Sequence, residues 1–402
     1  MTRILVIGGG IAGTATALAL HKAGLDVTVH EAHPDTAADI GAFLTLASNG
    51  MRALAQLDAS DVVTALGWPL RSMRVLDGQG AQLAHVPLGE ADDALLRYRC
   101  LRRGELHAAL QAEALRRGIR LSHGARLMSV ENGPDEVTAH FADGSAATGD
   151  LLIGADGLGS TVRRSIAPGT EPVYAGQSVF YGYTRSAPES HPEDTPAADG
   201  TGHITMVRGS TAAFGYAVSP AGETYWFARV GGDAVPAHDL AHPAPARWRE
   251  QLVAILSKDA TPAAGIVAAS TDDIMATNAT EIPPGTPWRS GRALLIGDAA
   301  HAASPATGQG ASMALEDAVV LAKSLRDAPD LDSALSLYEA CRRPRVDHNI
   351  TASGEISRGT RTPPRPAGSP PPQPPPQRPG DDTLAAQLDW NTDLRTTTDN
   401  TD

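Results

Sequence analysis

Residues 3–31 read RILVIGGGIAGTATALALHKAGLDVTVHE, and this stretch determines the fold of the N-terminal part of the chain. The short apolar run RILVI predicts a buried strand, and LDVTVH at 25–30 alternates as a second strand does. Between them, residues 11–23 show a helical periodicity, and Gly24 is suited to end that helix. A strand, a glycine turn, a helix and a second strand predict a parallel βαβ unit.

The glycine turn of this unit has the spacing G-x-G-x-x-G. Gly8 permits the tight turn from strand to helix, and Gly13 lets the helix lie close to the sheet. Gly10 lets the backbone approach a pyrophosphate, because any Cβ there would collide with it. The start of the helix at Ile11 and Ala12 offers unpaired N–H groups and a partial positive charge to the phosphates.

A carboxylate follows at the end of the second strand. Glu31 lies eighteen residues beyond Gly13, where a carboxylate can accept hydrogen bonds from both ribose hydroxyls of an adenosine. The alternative interpretation is an ordinary loop carboxylate. The turn and its acid do not distinguish FAD from NAD.

A second motif begins with the apolar run RALLIGD at 292–298. It predicts a strand that delivers Gly297 and Asp298 at its carboxyl end, where a carboxylate can hold the ribityl hydroxyls of a flavin. A narrow loop then leads into a helix predicted over about 311–327, whose positive end would stabilise the negative charge of a reduced flavin ring. The alternative is a glycine-rich loop that only caps a helix. The loop residues of interest are Pro305, Gly308, Gln309, Gly310 and Ala311.

The third motif is GADGLGSTVRR at 154–164, after a predicted strand. Ser160 is suited to cap the next helix. The turn would place Asp156 near the pyrophosphate, through water or an arginine. The alternatives are that Asp156 is only a turn residue, since Asp-Gly is common in turns, and that Arg163 is a solvated helix charge.

In order and spacing, these three motifs resemble those of the group A FAD-dependent monooxygenases, the para-hydroxybenzoate hydroxylase-like flavoprotein aromatic hydroxylases. The resemblance covers roughly residues 1–350. It implies an α/β fold (α+β overall), with a Rossmann-type FAD-binding domain and an inserted, mostly antiparallel β-sheet substrate domain. We expect the FAD-binding domain at 1–70, 98–172 and 271–350, the substrate domain at 71–97 and 173–270, and a proline-rich, disordered tail at 355–402.

The resemblance also assigns roles to individual residues. Gly8, Gly10 and Gly13, with Ile11 and Ala12 between them, would hold the FAD pyrophosphate. Glu31 would bind the adenosine ribose, and Gly297 with Asp298 the ribityl chain. Asp156 and Arg163 would serve both FAD and a transiently bound NADPH or NADH. The flavin ring would be lined by Pro305, Gly308, Gln309, Gly310 and Ala311.

Two further assignments depend on the resemblance. An arginine that opens a helix in an R-x-x-L pattern contacts FAD in this family, and Arg103 fits the pattern, although neighbouring Arg102 leaves the choice open. Leu127, in a later predicted strand, would contact the adenine through its backbone.

The implied chemistry is oxygen transfer. NAD(P)H would reduce FAD, O2 would form a C4a-hydroperoxide, and one oxygen would pass to a small aromatic or polycyclic substrate, with hydroxylation as the expected outcome. Baeyer–Villiger, epoxidising or other flavin chemistry on the same fold is an alternative. From another class, a non-catalytic flavin-fold binding protein is a second alternative, which the complete motif set disfavours. No catalytic acid or base is assigned.

Aromatic residues concentrate in the predicted substrate domain, where nine of them fall between 174 and 227. Such a concentration suits a sheet that walls a flat apolar ligand. The alternative is that aromatic residues simply favour strands. Candidate pocket residues are Tyr181, Tyr183, Phe214, Tyr216 and Trp226, and alternation places Tyr181 with Tyr183, and Phe214 with Tyr216, on common faces.

The composition limits the choice of partners. A net charge of −13 and a pI near 5.4 argue against nucleic-acid and anionic-membrane partners. Two cysteines, Cys100 and Cys341, fit a reducing cytoplasm rather than a disulfide framework. No apolar run is long enough to span a bilayer, and no metal site is predicted. We expect a cytoplasmic monomer or homodimer acting on a small molecule.

Overall fold

The computed structural model describes residues 3–36, 41–90, 92–187, 194–270, 274–359 and 381–397. The strands in this part of the chain are β1 (Arg3–Ile7), β2 (Asp26–His30), β3 (Phe43–Leu46), β4 (Trp68–Asp77), β5 (Gln82–Pro87), β6 (Tyr98–Arg102), β7 (Arg120–Ser122), β8 (Leu127–Asn132), β9 (Val137–Phe141), β10 (Ala146–Gly149), β11 (Leu151–Gly154), β12 (Val173–Thr184), β13 (Gly202–Arg208), β14 (Ala212–Val218), β15 (Thr224–Gly231), β16 (Met275–Glu281), β17 (Arg289–Ser290) and β18 (Ala293–Leu295).

The helices are α1 (Ile11–Lys22), α2 (Ser48–Gln56), α3 (Ser60–Thr64), α4 (Arg103–Arg116), α5 (Thr161–Ile166), α6 (Ala237–Ala241), α7 (Pro245–Leu256), α8 (Ala263–Ala268), α9 (Asp298–His301), α10 (Gly310–Asp327), α11 (Leu331–Ser357) and α12 (Asp381–Leu388). Single 3-10 turns lie at Pro305–Thr307 and Leu394–Thr397.

A six-stranded sheet in the order β17-β18-β11-β1-β2-β7 forms the first half of the molecule. All its neighbours are parallel except β17 and β18. The apolar runs of β1 and β11 are buried because helices cover both sides of a parallel sheet. The predicted βαβ unit is thereby confirmed, with β1 pairing to β2 in parallel register from Arg3 with Asp26 to Ile7 with His30.

The helix of this unit is buried along most of its length. Residues 13–20 of α1 are buried, and the helix packs against α10 and α4. The small side chains of Ala15, Ala17 and Ala19 are inaccessible to solvent, which lets neighbouring elements approach closely. A separate antiparallel sheet, β10-β9-β8, lies beside β1 and α5.

The larger sheet runs β16-β12-β15-β14-β13-β4-β6-β3, with β5 added to β4. Its pairs are antiparallel apart from β13 with β4. One face, which we call the back face, packs against α7 and α8 through Trp248, Leu252 and Ile266. The opposite, front face carries a second cluster that includes Phe43, Tyr181 and Phe227.

This sheet takes in strands from segments that we had predicted for the FAD-binding domain. Phe43 of β3 pairs with Arg102 of β6, and Trp68 of β4 pairs with Cys100 of β6. Short strands such as β3 and β6 do not reveal their partners, because inter-strand hydrogen bonds rather than the local sequence pattern decide which strands pair. The division into two domains remains a proposal. Its boundaries change, because β3 and β6 belong to the larger sheet and not to the six-stranded sheet.

The C-terminal region corrects a further expectation. Helix α11 continues to Ser357, beyond residue 350 where we expected the FAD-binding domain to end, and residues 381–397 are structured rather than a disordered tail. In this last segment Leu388 and Leu394 are fully buried. The buried Lys323 of α10 donates hydrogen bonds to the backbone carbonyls of Gln387 and Asp389. The proline-rich stretch 363–379 lies outside the described residues.

Candidate functional site

The glycine turn has the geometry that the sequence predicts. Gly8 has φ +102°, and a Cβ added there would lie 2.4 Å from the carbonyl oxygen of Ala155. A Cβ at Gly13 would lie 1.9 Å from the carbonyl oxygen of Gly8, so close approach of helix to strand depends on glycine. By contrast, a Cβ at Gly10 would have nothing within 4 Å and would project into open space.

That open space lies at the N-terminus of α1. Gly10 is the extended N-cap residue, no side chain caps the helix, and its first turn holds no acidic residue. The N–H groups at Ile11, Ala12 and Gly13 are therefore left for another acceptor, and the helix dipole favours a negative one. A pyrophosphate fits this cradle, which a side chain at Gly10 would fill.

Glu31 lies against the same turn. Its carboxylate accepts hydrogen bonds from the backbone N–H groups of Gly9, at 2.5 Å, and His33, at 2.7 Å. The loop that leads to Leu127 lies beside it, because the Ala125 N–H donates to the Glu31 carbonyl at 2.8 Å. The Leu127 side chain itself is buried, with 7% exposed. Both residues predicted for the adenosine half thus lie near the end of β2.

Two residues at this turn escaped the sequence analysis. Gln111 of α4 donates a hydrogen bond to the carbonyl oxygen of Gly9 at 2.9 Å, and the His107 ring contacts the same oxygen at 2.5 Å. Burial lowers the pKa of His107 from its ordinary value. Arg103, His107 and Gln111 recur every four residues, which places them on one face of α4. This four-residue spacing is the sequence signal that could have identified His107 and Gln111.

The choice between Arg102 and Arg103 is narrowed by their contacts. The Arg102 guanidinium donates to Glu223 at 3.0 Å and to the Tyr225 hydroxyl at 3.2 Å, and it lies over the Tyr183 ring. Arg103 is exposed at the start of α4, with its side chain beside Gly41. Arg102 is thus committed to the large sheet, and Arg103 has the freedom that a ligand contact needs.

The Asp-Gly turn holds the next helix. Ser160 caps α5, as predicted, by accepting a hydrogen bond from the Arg163 N–H at 2.8 Å. The Asp156 carboxylate accepts from the Ser160 hydroxyl at 2.5 Å and from the Thr161 N–H at 2.7 Å. These bonds support the turn-residue interpretation of Asp156.

Arg163 is a buried residue that connects two turns through hydrogen bonds, and it is not a solvated helix charge. It is 1% exposed and donates to the carbonyl oxygens of Ala299, at 2.9 Å, and Leu158. Burial lowers its pKa from the usual range. Because Ala299 follows Asp298, Arg163 ties the Asp-Gly turn to the second motif. Any effect of Arg163 on a bound dinucleotide would pass through that connection.

The second motif meets the first one in space. Gly297 has φ +55°, and a Cβ there would lie 2.8 Å from the Cβ of Ala12 in α1. Asp298 follows at the first position of α9 and is exposed. Among the described residues nothing hydrogen-bonds its carboxylate. An exposed acid beside the start of α1 is suited to the hydroxyl groups of a ligand that extends from that helix.

A buried ionic network holds the turn at Gly297 and Asp298 in place. Asp317 of α10 accepts hydrogen bonds from the Gly297 N–H at 2.9 Å, from His301 at 2.6 Å and from Arg342 at 2.8 Å. Arg342 also pairs with Glu316 at 2.5 Å. Burial alone would raise the pKa of Asp317, but His301 and Arg342 outweigh it and lower the pKa to about 2. His301 is buried within this network and is a structural residue.

Residues 305–311, which we call the ring loop, connect the second motif to α10. Gly308 adopts φ +66°, and α10 begins at Gly310, one residue before the predicted start, without a side-chain cap. The loop is fixed at its far end, because the Ala47 N–H donates to the Ser312 hydroxyl at 3.1 Å. Pro305, Gly308 and Gly310 are exposed. An uncapped eighteen-residue helix therefore directs its positive end at the space above the ring loop.

The aromatic candidates separate onto two faces of the large sheet. Tyr181 and Tyr183 lie on the front face, where they meet Phe43, Tyr225 and Phe227 at ring-centroid distances of 4.7 to 6.4 Å. We call these five residues the aromatic face. The common faces predicted from alternation are confirmed for Tyr181 with Tyr183.

The pocket assignment of the other three candidates is corrected. Phe214, Tyr216 and Trp226 lie on the back face, with at most 1% exposed, in the core formed with α7 and α8. The indole N–H of Trp226 donates to the Ser270 hydroxyl at 2.7 Å. Side chains of successive strand residues point to opposite faces, so the five candidates cannot line one pocket.

Comparison with known proteins identifies the family. The family described as "FAD binding domain" matches residues 1–353. The chain belongs to this family. Aurachin C monooxygenase/isomerase of Stigmatella aurantiaca is 31% identical over 88% of this chain and 88% of that protein. FAD-dependent urate hydroxylase of Klebsiella pneumoniae is 34% identical over 86% of both.

The solved structures agree. The crystal structure of Klebsiella pneumoniae HpxO complexed with FAD and uric acid superposes with a TM-score of 0.76 at 28% identity, covering 98% of this chain and 95% of that one. The 2,6-dihydroxypyridine-3-hydroxylase of Arthrobacter nicotinovorans shares the fold, with a TM-score of 0.73 at 21% identity. The predicted fold class and the FAD cofactor are confirmed. The chain is an FAD-dependent monooxygenase, an oxidoreductase whose class uses NAD(P)H and O2.

Two features are absent from the described part of the chain. No helix there is both long and apolar enough to cross a membrane. No cluster of His, Cys, Asp or Glu side chains there is suited to hold a metal ion.

Proposed function

We propose that the enzyme hydroxylates a small planar aromatic substrate held between the ring loop and the aromatic face. One observation carries this proposal. Phe43 and Thr45 share a face of β3. Phe43 belongs to the aromatic face and packs against Tyr181, and the Thr45 hydroxyl lies 3.4 Å from a Cβ built at Gly308. The aromatic face is thus continuous with the loop that would carry the flavin ring.

We further propose the division of labour among the cofactor residues. Gly8, Gly10, Ile11, Ala12 and Gly13 bind the pyrophosphate, Glu31 and the Leu127 backbone hold the adenosine half, and Arg103 contacts FAD. Gly297 and Asp298 bind the ribityl chain. Asp156 and Arg163 act as positioning residues, since the carboxylate of one and the guanidinium of the other are engaged within the protein. The ring rests on Pro305, Gly308, Gln309, Gly310 and Ala311.

Bound FAD supplies the redox chemistry, by taking reducing equivalents from NAD(P)H and activating O2. The protein positions the substrate and keeps water away from the reacting atoms. The N-terminus of α10 favours negative charge on the ring above it. Apolar side chains of the aromatic face bury the flat faces of the substrate.

The names of the relatives support an aromatic substrate. They include a urate hydroxylase, a 3-amino-4-hydroxybenzoate 2-monooxygenase and a 6-hydroxynicotinate 3-monooxygenase, each 31–34% identical to this chain. We propose a cytoplasmic enzyme, which is compatible with Cys100 and Cys341 both being free thiols. The acidic charge is compatible with a small-molecule partner.

Oxygen labelling tests the proposal. FAD-loaded protein is given NADH or NADPH, 18O2 and a panel comprising urate, 3-amino-4-hydroxybenzoate, 6-hydroxynicotinate and simple phenols. We expect one panel member to accelerate NAD(P)H oxidation and to gain one labelled oxygen on a ring carbon. Insertion into a carbon–carbon bond or an epoxide product would replace hydroxylation by those chemistries. Oxidation that yields only peroxide with every panel member would contradict the proposal.

A further inference from the structure

Arg229 is a buried cation of the front face that lacks an acidic partner. It is 8% exposed, and its Nε is buried without a hydrogen-bond partner. Its only hydrogen bond among the described residues is a long one, 3.5 Å from Nη1 to the carbonyl oxygen of Ala306. Burying an unpaired charge is costly. The site can therefore accept a negative group, which the described residues do not supply.

The other buried arginines show what this one lacks. Arg342 pairs with two carboxylates and Arg74 with Asp194. Arg99 and Arg163 donate to backbone carbonyl oxygens within 3.2 Å. Each of these four makes at least two hydrogen bonds within the chain, although the Nε atoms of Arg74 and Arg163 are also buried without a hydrogen-bond partner. Arg229 differs from them, because among the described residues it has no ion pair and its one hydrogen bond is 3.5 Å long.

The position of Arg229 links it to the substrate space. It follows Phe227 by two residues on β15, so both side chains are on the front face, and its guanidinium carbon lies 5.9 Å from the Phe227 ring centre. Its contact with Ala306 places it at the ring loop. Burial raises the pKa of Tyr181 to about 12, against the opposing charges of Arg103 and Arg229, so both cations lie near Tyr181.

We propose that Arg229 binds a negatively charged group of the substrate, a carboxylate or an ionised ring oxygen, and thereby sets which edge of the ring faces the flavin. The inference rests on the proposed function, because it assumes that the substrate lies between the ring loop and the aromatic face. The planar guanidinium of arginine matches a carboxylate with two parallel hydrogen bonds. The substrate class is therefore an aromatic anion.

Matched probes test this assignment in the FAD-loaded enzyme. Benzoate, 4-hydroxybenzoate, 3-amino-4-hydroxybenzoate and 6-hydroxynicotinate are each compared with the neutral methyl ester, and binding is followed by the change in flavin absorption. We expect at least one acid to bind at least about tenfold tighter than its ester. No acid preferred over its ester would overturn the proposal.

Variants assign the preference to one residue. Arg229→Met is expected to reduce the preference for the acid to less than about twofold without changing the affinity for the ester, and Arg229→Lys to restore part of it. Arg229→Gln keeps a donor for Ala306 and serves if Arg229→Met does not fold. Arg247→Met, an exposed arginine of α7 on the opposite side of the sheet, is the control and should retain the wild-type preference.

The reduced flavin ring is the other anion that Arg229 could stabilise. The reduction potential of the bound FAD distinguishes that role from substrate binding. If Arg229→Met keeps the acid preference but lowers the reduction potential of the bound FAD, the guanidinium serves the reduced ring and the proposal is wrong. Failure of the proposed function would look different, since wild-type protein would then bind FAD without any substrate-stimulated oxidation of NAD(P)H.

Discussion

The backbone N–H of Gly297 donates a hydrogen bond to the carboxylate of Asp317 across 2.9 Å. Gly297 precedes Asp298 in the second motif, and Asp317 lies in α10, which begins at the end of the ring loop. The same carboxylate also receives His301 and Arg342. One buried acid thus fixes the turn at Gly297 relative to α10, the two elements that we propose for the ribityl chain and the flavin ring.

Asp317→Asn is expected to destabilise the protein by about 3–5 kcal/mol, because it leaves Arg342 buried with only part of its counter-charge. Chemical denaturation measures the change, and retention of FAD through gel filtration should fall with it. The control is Asp332→Asn, whose side chain is 84% exposed and which should change stability by less than about 0.5 kcal/mol. Equal stability of the two variants would refute the role given to Asp317.

Two glycines of the first turn should separate stability from cofactor binding. Gly13→Ala places a Cβ 1.9 Å from the Gly8 carbonyl oxygen, and we expect a loss of about 1–3 kcal/mol or more in the apoprotein. Gly10→Ala meets no protein atom within 4 Å, so the apoprotein should keep its melting temperature. FAD affinity should nevertheless fall at least about tenfold, because the new methyl group occupies the phosphate cradle. Melting curves recorded with and without FAD measure both effects. Undiminished FAD affinity in Gly10→Ala would contradict the proposal that the phosphates lie at this turn.

Adjacent residues on β15 should behave differently because they lie on opposite faces. Trp226→Ala removes a fully buried ring between the sheet and α7 and should cost about 3–5 kcal/mol of stability. Phe227→Ala, on the aromatic face, should leave the fold intact and weaken binding of the aromatic substrate roughly 2- to 10-fold. Denaturation and KM are measured for both. A substrate effect confined to Trp226→Ala would reverse the assignment of the two faces.

Lys323 should hold the C-terminal segment in place. Burial lowers the pKa of its ammonium group to about 8, and that group donates to the carbonyl oxygens of Gln387, at 2.6 Å, and Asp389, at 2.5 Å. Lys323→Met removes these bonds and leaves buried acceptors unpaired, at about 1–3 kcal/mol. Residues 381–397 should then become accessible to proteases. Lys258→Met, at an exposed position, is the control, and unchanged protease resistance in Lys323→Met would contradict this role.

Local signals were sufficient for the first half of the fold. β1 and α1 have the predicted starting residues, because a buried apolar run and a glycine turn specify them without help from the rest of the chain. The same holds for Ser160, whose cap depends on residues three positions away. The docking of α12 was not predictable in this way. It depends on Lys323, which is far away in sequence, and on a short helix with a weak pattern.

The site shows the same division. Gly8, Gly10 and Gly13 could be assigned from spacing, since their roles depend on backbone geometry within one turn. The pocket candidates could not be separated into faces across the sheet, because pairing of Tyr216 with Trp226 and of Tyr181 with Phe227 is set by register. Arg229 could not be singled out from the sequence either, because only the folded structure shows that it is buried without an acidic partner among the described residues.

A crystal structure of the FAD complex tests the central claim most directly. We expect pyrophosphate oxygens within hydrogen-bonding distance of the N–H groups at Ile11–Gly13, a ribityl hydroxyl on Asp298, and the isoalloxazine ring along Pro305 and Gly308. Ring density at any other place, or crystals soaked in FAD that show no density along these turns, would contradict the account.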